Sequence, residues 1–193
     1  IDYIIADGAV IPRGDERFYS EKVIRLPCSY QPNAGRVHPG PAPSRAALGL
    51  REKDFVFLCF NASYKITPDI FDIWMRLLKA VEASVLWLLA DTPGASANLL
   101  DEARRRGVDG SRLVFAPRVG LDEHIARQQV ADLFLDTLHY NAHTTGSDAL
   151  WAGVPMVTMA GETFAGRVAS SLLRAADLPE LVGGALRDDR DLE

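Results

Sequence analysis

The chain has 193 residues, 48% of them hydrophobic and 24% charged, an ordinary globular balance with room for one domain of doubly wound size and some extra at its ends. Its net charge of −5 and pI near 5.4 argue against a general nucleic-acid-binding surface, which needs a basic excess. No apolar run approaches the ~18 residues needed to span a bilayer, and the first residues lack the basic segment and cleavage site of a signal peptide.

In chain order, Ile1 to Asp7 reads as a strand entered from something upstream. The segment from Pro27 to Pro43 holds five prolines with Gly35 and Gly40 between them, so it is expected to be a linker or an extended surface loop. Phe55 to Phe60 is a continuous apolar run of the kind a strand buried on both faces requires. Thr67-Pro68-Asp69 then looks like a helix start, with a hydroxyl cap, proline at the first helical position and an early acid. Ile70, Phe71, Trp74, Leu77, Leu78 and Val81 follow at helical spacing. Ser84 to Leu89 is a second buried strand, and a helix over about Ala97 to Arg106 ends at Gly107.

Leu113 to Ala116 is a third strand, about Asp122 to Gln129 a helix, and Leu133 to Leu135 a fourth strand. A helix from Thr144 to Trp151 ends at Gly153, Pro155 to Met159 is a fifth strand, and a last helix is predicted over about Phe164 to Ala175. Strands alternating with helices predict an α/β protein built on a doubly wound parallel sheet. Cys28 sits in a loop and Cys59 in an apolar run; two thiols without a disulfide framework fit a reducing, cytoplasmic setting.

In such sheets ligands bind beyond the carboxyl ends of the strands, at the first turns of the helices that follow. After the first buried strand comes Asn61-Ala62-Ser63-Tyr64-Lys65-Ile66. Lys65 stands just ahead of a helix N-terminus, where an ammonium and a helix dipole can face one anion. It fits a plain exposed loop equally well. After the third strand, His124 and Arg127 share a helix face and could stack on a base and reach its carbonyl. The plainer reading is a surface histidine beside a Glu123–Arg127 ion pair.

The junction from Asp136 to Asp148 says most. Thr144 and Thr145 open a helix whose free amides can bind phosphate, and Gly146 lets a ligand approach the backbone. Asp148, one turn in, suits ribose hydroxyls. A plain double-threonine cap would not account for His143, Gly146 and Asp148 together.

His139 and His143 have the i,i+4 spacing of a metal pair, with Asp136 nearby, but the intervening residues favour a loop over the helix such a pair needs. No metal site is expected. Asp189-Arg190-Asp191 matches a two-carboxylate pattern that holds metal-bound diphosphate, yet it lies in a charged tail and reads as solvated. Met159 to Thr163 leads into the helix carrying Arg167, as an ordinary capped turn or as a cover for a sugar.

Several of these stretches resemble the O-GlcNAc transferases, which comprise the animal nucleocytoplasmic enzyme, the plant SPINDLY-like proteins and their bacterial relatives with tetratricopeptide repeats. The carriers are Phe60-Asn61-x-x-Tyr64-Lys65-Ile66, Ser84 to Leu89, and Glu123-His124 with Arg127. Above all stands His143-Thr144-Thr145-Gly146-x-Asp148-x-Leu150-Trp151-Ala152-Gly153-x-Pro155-Met156-Val157-Thr158. The similarity runs over about Asp2 to Val182.

It implies a GT-B architecture of two Rossmann-like halves, with this chain as the C-terminal, UDP-sugar-binding half of a larger enzyme. It places Lys65 and the amides of Thr144 and Thr145 on the diphosphate, His124 on the uridine, Arg127 and the backbone at Val119 on the uracil, and Asp148 on the ribose. His143 would lie beside diphosphate and sugar, so Lys65 and His143 are the catalytic candidates. Ala62 replaces a glutamine that contacts phosphate, Leu121 a lysine near the ribose, and Tyr140 a cysteine lining the N-acetyl pocket. The phosphate grip is therefore thinner, and GlcNAc is favoured as donor sugar with fucose, glucose or another hexose open.

The reaction implied is inverting transfer from a UDP-sugar donor to a Ser or Thr hydroxyl of a protein acceptor, without metal or other cofactor. The acceptor groove and general base would come from a missing N-terminal half and repeats, leaving this fragment to bind UDP without turnover. Two rivals are a UDP-sugar 2-epimerase, for which no convincing carboxylate pair is found, and a non-catalytic nucleotide-binding or interaction module. The expected division is residues 1–26 as the end of the preceding half, 27–46 as linker loop, 47–183 as the UDP-sugar-binding domain, and 184–193 as a charged tail.

Overall fold

The computed structural model describes residues 1–33, 38–92 and 94–183; the predicted tail with Asp189-Arg190-Asp191 lies outside them. Among the described residues the main sheet has strands β3 (Phe55–Cys59), β4 (Ser84–Leu89), β5 (Leu113–Ala116), β6 (Leu133–Leu135), β7 (Met156–Met159) and β8 (Val182–Gly183). Their order is β5-β4-β3-β6-β7-β8, and every neighbouring pair is parallel. Parallel neighbours need crossovers, supplied here by α1 (Pro68–Ala80), α2 (Ala95–Arg105), α3 (Leu121–Gln128), α4 (Thr144–Trp151) and α5 (Val168–Ala175).

Side chains alternate across the pleat and bury on both faces. Phe57, Cys59, Leu86 and Leu88 pack under Ile70, Phe71, Trp74 and Leu78 of α1 and Ala103 of α2. Val56, Leu58, Val85, Trp87, Phe134 and Met156 pack against Ile125 of α3, Ala149 of α4 and Ala169 and Leu173 of α5. Each large side chain so buried contributes about 1.5–3 kcal/mol of transfer free energy. That double covering explains why the strands read as unbroken apolar runs.

β3 comes first of the six in the chain and lies near the middle of the sheet. The chain runs outward through β4 and β5, then returns to place β6 on the other side of β3. The crevice between the carboxyl ends of β3 and β6 is therefore the topological switch point, where doubly wound sheets take their ligands.

A separate two-stranded parallel pair, β1 (Tyr3–Ala6) and β2 (Lys22–Arg25), precedes the sheet. Its Ala6, with Val10 and Ile11 beyond it, packs on Val168 and Leu172 of α5. Asp7, fully buried, accepts from the amides of Ala9, Val10 and Tyr30 and from the Ser171 hydroxyl. β2 and β8 are not anticipated from sequence, because one alternates charged ends with two apolar residues and the other is two residues long.

Most predicted helices fall within two residues of the observed ones, and α4 spans Thr144–Trp151 as expected. It stops where Gly153 takes a φ of 82°, the left-handed conformation that ends helices. The last helix departs from expectation, starting at Val168 rather than near Phe164. Residues 161–167 instead close a loop, with the Gly161 amide on the Gly166 carbonyl and the Gly166 amide on Thr163. Thr67 holds the cap position of α1, with proline following, but its hydroxyl makes no capping hydrogen bond.

Candidate functional site

Two loops meet at the switch point, one leaving β3 and one leaving β6. The β6 loop is organised by Asp136, which is 3% exposed. Its Oδ1 accepts the amides of Thr137 (2.8 Å) and Ala142 (2.6 Å), and its Oδ2 accepts the Thr158 hydroxyl of β7 (2.6 Å). Burial pushes this carboxyl up to about 6, while the hydrogen bonds from Thr158, Ala142, Thr137 and Asn61 pull it down. The Thr137 hydroxyl donates to the Tyr140 carbonyl, and Asn141 donates to the Thr137 carbonyl. The loop from Thr137 to Ala142 is thus pinned at several points before α4 begins.

From β3, Asn61 donates to the Thr137 hydroxyl (2.8 Å), and its own carbonyl oxygen accepts the Thr145 hydroxyl of α4. Lys65 then crosses to the same place: its Nζ donates to the Asn141 carbonyl at 2.8 Å and lies 3.9 Å from the centre of the Tyr140 ring. The ammonium therefore faces the entry to α4 rather than the start of α1. Burial lowers the Lys65 pKa and the nearby Asp136 charge raises it.

His143, the cap residue of α4, sets its ring 4.9 Å from that of Tyr140, edge-on. Its Nε2 lies 3.3 Å from the Ala165 carbonyl, which can only accept, so Nε2 carries the proton and Nδ1 the lone pair. Burial lowers its pKa, which keeps the ring neutral near pH 7. Thr144 is exposed, and the first-turn amides of an α-helix have no partner within the helix. Cation, open helix terminus and neutral imidazole thus surround one crevice.

The second group of candidates lies on α3 and the loop before it. Arg127 is 2% exposed and sits 4.7 Å from the centre of the Phe60 ring. Its Nη1 donates to the Pro117 carbonyl and its Nη2 lies 3.0 Å from His124 Nδ1. A guanidinium has no acceptor, so His124 Nδ1 accepts and the proton is on Nε2. Burial, then the Arg127 charge, lowers the His124 pKa, giving a neutral ring 5.3 Å from Phe60.

Arg127 therefore differs from the sequence expectation of a side chain reaching a base: it is buried and fixes His124 and the loop carrying Val119. Asp148 is 5% exposed, and its charge acts on His124 across the space between α4 and α3.

Gly146 also departs from its expected role. A Cβ there would meet Ala142 Cβ at 3.2 Å and Leu172 Cδ1 and Met156 Sδ at 3.3 Å, so the missing side chain makes room for the core, not for a ligand. Arg167 donates to the Gly161 carbonyl and pairs with Asp15, tying the loop of residues 161–167 to the N-terminal segment. His139 and His143 lie in a loop with different partners, His139 on Asp69. Among the described residues no group of three or more His, Cys, Asp or Glu is placed to hold a metal ion. Sequence alone does not mark Asp136 and Asn61 as organisers: Asn61 stands in the stretch that leads to Lys65 and Asp136 opens the loop before α4, and only the fold brings their side chains together.

A parallel sheet covered on both faces, with polar loops converging at its switch point, makes this a Rossmann-like domain, and its solved neighbours are glycosyltransferases of the GT-B architecture. The chain belongs to glycosyl transferase family 41, whose model matches residues 40–192. It is 41% identical over 184 residues to the probable UDP-N-acetylglucosamine–peptide N-acetylglucosaminyltransferase SEC of Arabidopsis thaliana, covering 92% of this chain and 19% of that protein. Against the UDP-N-acetylglucosamine–peptide N-acetylglucosaminyltransferase of Caenorhabditis elegans it is 45% identical over 139 residues, 72% of this chain and 12% of that one. A solved mutant O-GlcNAc transferase of Thermobaculum terrenum superposes with a TM-score of 0.83 at 36% identity, over 96% of this chain and 35% of the other. The chain thus spans about a fifth or less of the two curated relatives and about a third of the solved one.

Proposed function

We propose that the chain is the UDP-sugar-binding part of an inverting glycosyltransferase that moves a sugar, N-acetylglucosamine first among the candidates, to a Ser or Thr hydroxyl of a protein. The observation that carries this reading is the meeting of Lys65 with the loop entering α4 across the β3–β6 switch point. The relatives named above, all O-GlcNAc or peptide N-acetylglucosaminyltransferases, support the choice of donor and acceptor.

In this reading the diphosphate rests on the amides of Thr144 and Thr145 with Lys65 on its other side. The neutral His124 ring stacks on the uridine, held there by Arg127. The backbone at Val119 faces the uracil, Asp148 serves the ribose, and His143 lies beside diphosphate and sugar.

The acceptor oxygen attacks the anomeric carbon from the face opposite UDP, the bond from that carbon to the β-phosphate oxygen breaks, and UDP departs with the electron pair. The negative charge growing on it is met by the Lys65 ammonium and the α4 amides, so no metal ion is required. The acceptor groove and the base that takes the hydroxyl proton are assigned outside these 193 residues, and the chain alone turns over no sugar. A cytoplasmic setting is supported by the unpaired Cys28 and Cys59. No helix among the described residues is long and apolar enough to cross a membrane.

Calorimetric titration with UDP, UDP-N-acetylglucosamine, GDP and uridine tests this reading. It predicts binding of both uridine nucleotides in preference to GDP, and a Lys65→Ala chain that loses UDP affinity by about tenfold while keeping its hold on uridine. A guanine preference, or equal loss of UDP and uridine, contradicts it.

A further inference from the structure

We propose that the buried Asp136–Asn61 pair is the positioning element of this site, setting the Lys65 ammonium and the first turn of α4 at the separation a diphosphate fills. The proposal rests on the UDP reading above. Asn61 follows β3 and Asp136 follows β6, adjacent strands in register through Phe57 with Leu133 and Leu58 with Phe134. Both side chains are buried, at 2% and 3% exposure, and their polar atoms are taken up by Thr137, Ala142, Thr145, Thr158 and each other, so they support the site rather than bind the anion.

What they hold is the relative placement of the groups that would. Asn61 spans from the β3 loop to Thr145 in the first turn of α4, donating to Thr137 and, at 3.4 Å, to Asp136 on the way. Asp136 grips the Ala142 amide, one residue before the His143 cap, and the Thr137 amide, which begins the loop. Between these anchors lie Tyr140, whose ring underlies the ammonium, and Asn141, whose carbonyl receives it.

A carboxylate buried beneath an anion site is electrostatically costly, and an apolar side chain would fill the volume without that cost. A fully partnered polar cluster, by contrast, specifies one geometry. Among the described residues the base end, on β5, α3 and the loop between them, is held by Arg127 through Pro117 and His124 and not by either residue, while Asp148, assigned to the ribose, lies on α4 beyond the turn that Asn61 holds. The pair therefore acts chiefly on the diphosphate end of the ligand, and that gives the proposal its readout.

The 193-residue chain is titrated with UDP and with uridine. Asp136→Ala and Asn61→Ala are expected to weaken UDP by about tenfold or more and uridine by less than about twofold. Asn61→Ala carries the test if Asp136→Ala does not fold.

Asp136→Asn is expected to hold UDP affinity within about threefold. Its Oδ1 still accepts from Thr137 and Ala142. Its amide donates to the Thr158 hydroxyl, whose proton turns to the Met159 carbonyl 3.4 Å away. Equal loss of UDP and uridine in the alanine variants, no loss in either, or an Asp136→Asn chain as weak as Asp136→Ala each overturns the proposal. A wild-type chain that binds UDP no better than uridine removes the diphosphate reading, and the proposal with it; the other failures leave that reading standing.

Discussion

The Asp136 carboxyl, raised from 3.8 to about 6 by burial, is the group in the site whose ionisation the fold opposes most openly. Because its folded pKa lies above the unfolded one, the native chain binds more protons between about pH 4 and pH 6. Its contribution to stability is therefore full below about pH 4 and is lost as pH rises through 6. Asp136→Asn mimics the neutral acid and should exceed wild type in stability at pH 7 by about 3 kcal/mol, at about 1.4 kcal/mol per pKa unit, with the two converging near pH 4.

Urea midpoints at both pH values check this; an equal difference at the two would contradict it. The tension was not legible in the sequence, where Asp136 stands in a loop without a motif and only its three-dimensional partners show that it is enclosed. Lys65, His124 and His143 were legible as candidates because each sits at a strand-to-helix junction. Arg127 was legible as a partner of His124 by spacing, but its burial under Phe60 was not.

At the scale of elements, α4 brings backbone amides to the crevice, and its placement depends on Gly146. In an isolated helix Gly→Ala gains about 1 kcal/mol. Here the added methyl would press on Ala142 Cβ, Leu172 Cδ1 and Met156 Sδ, and overpacking of this kind costs about 1–3 kcal/mol. The ends of Leu172 and Met156 can turn aside, whereas Ala142 is held through its amide by Asp136.

Gly146→Ala should therefore destabilise the chain by about 1 kcal/mol in urea and weaken UDP as the first turn shifts. A stabilised variant with full UDP affinity would show that the glycine is not packed as described. The Thr-Thr start and Gly153 stop of α4 could be read from sequence because caps are local. Which way Gly146 faces could not, since it depends on the seating of α4 against β7 and α5. The late start of α5 has the same origin, a contact between Gly161 and Gly166 that no periodicity records.

For the molecule as a whole, burial on both faces made the strands readable as apolar runs and the parallel sheet followed from their alternation with helices. Strand order was not readable. Yet the return of the chain from β5 to β6 decides which junctions become neighbours, and it brings Asn61 and Lys65 to Asp136, His143 and Thr145. β2 escaped notice because Lys22-Val23-Ile24-Arg25 pairs only with β1, where one face stays exposed at Tyr3, Ile5 and Ile24.

The central claim is that a diphosphate lies between Lys65 and the start of α4, and a crystal structure of the chain with UDP tests it most directly. Phosphate oxygens at about 3 Å from Lys65 Nζ and from the amides of Thr144 and Thr145, with the uracil beside His124, are the predicted result. A diphosphate bound elsewhere, with Lys65 still on the Asn141 carbonyl, would contradict the account.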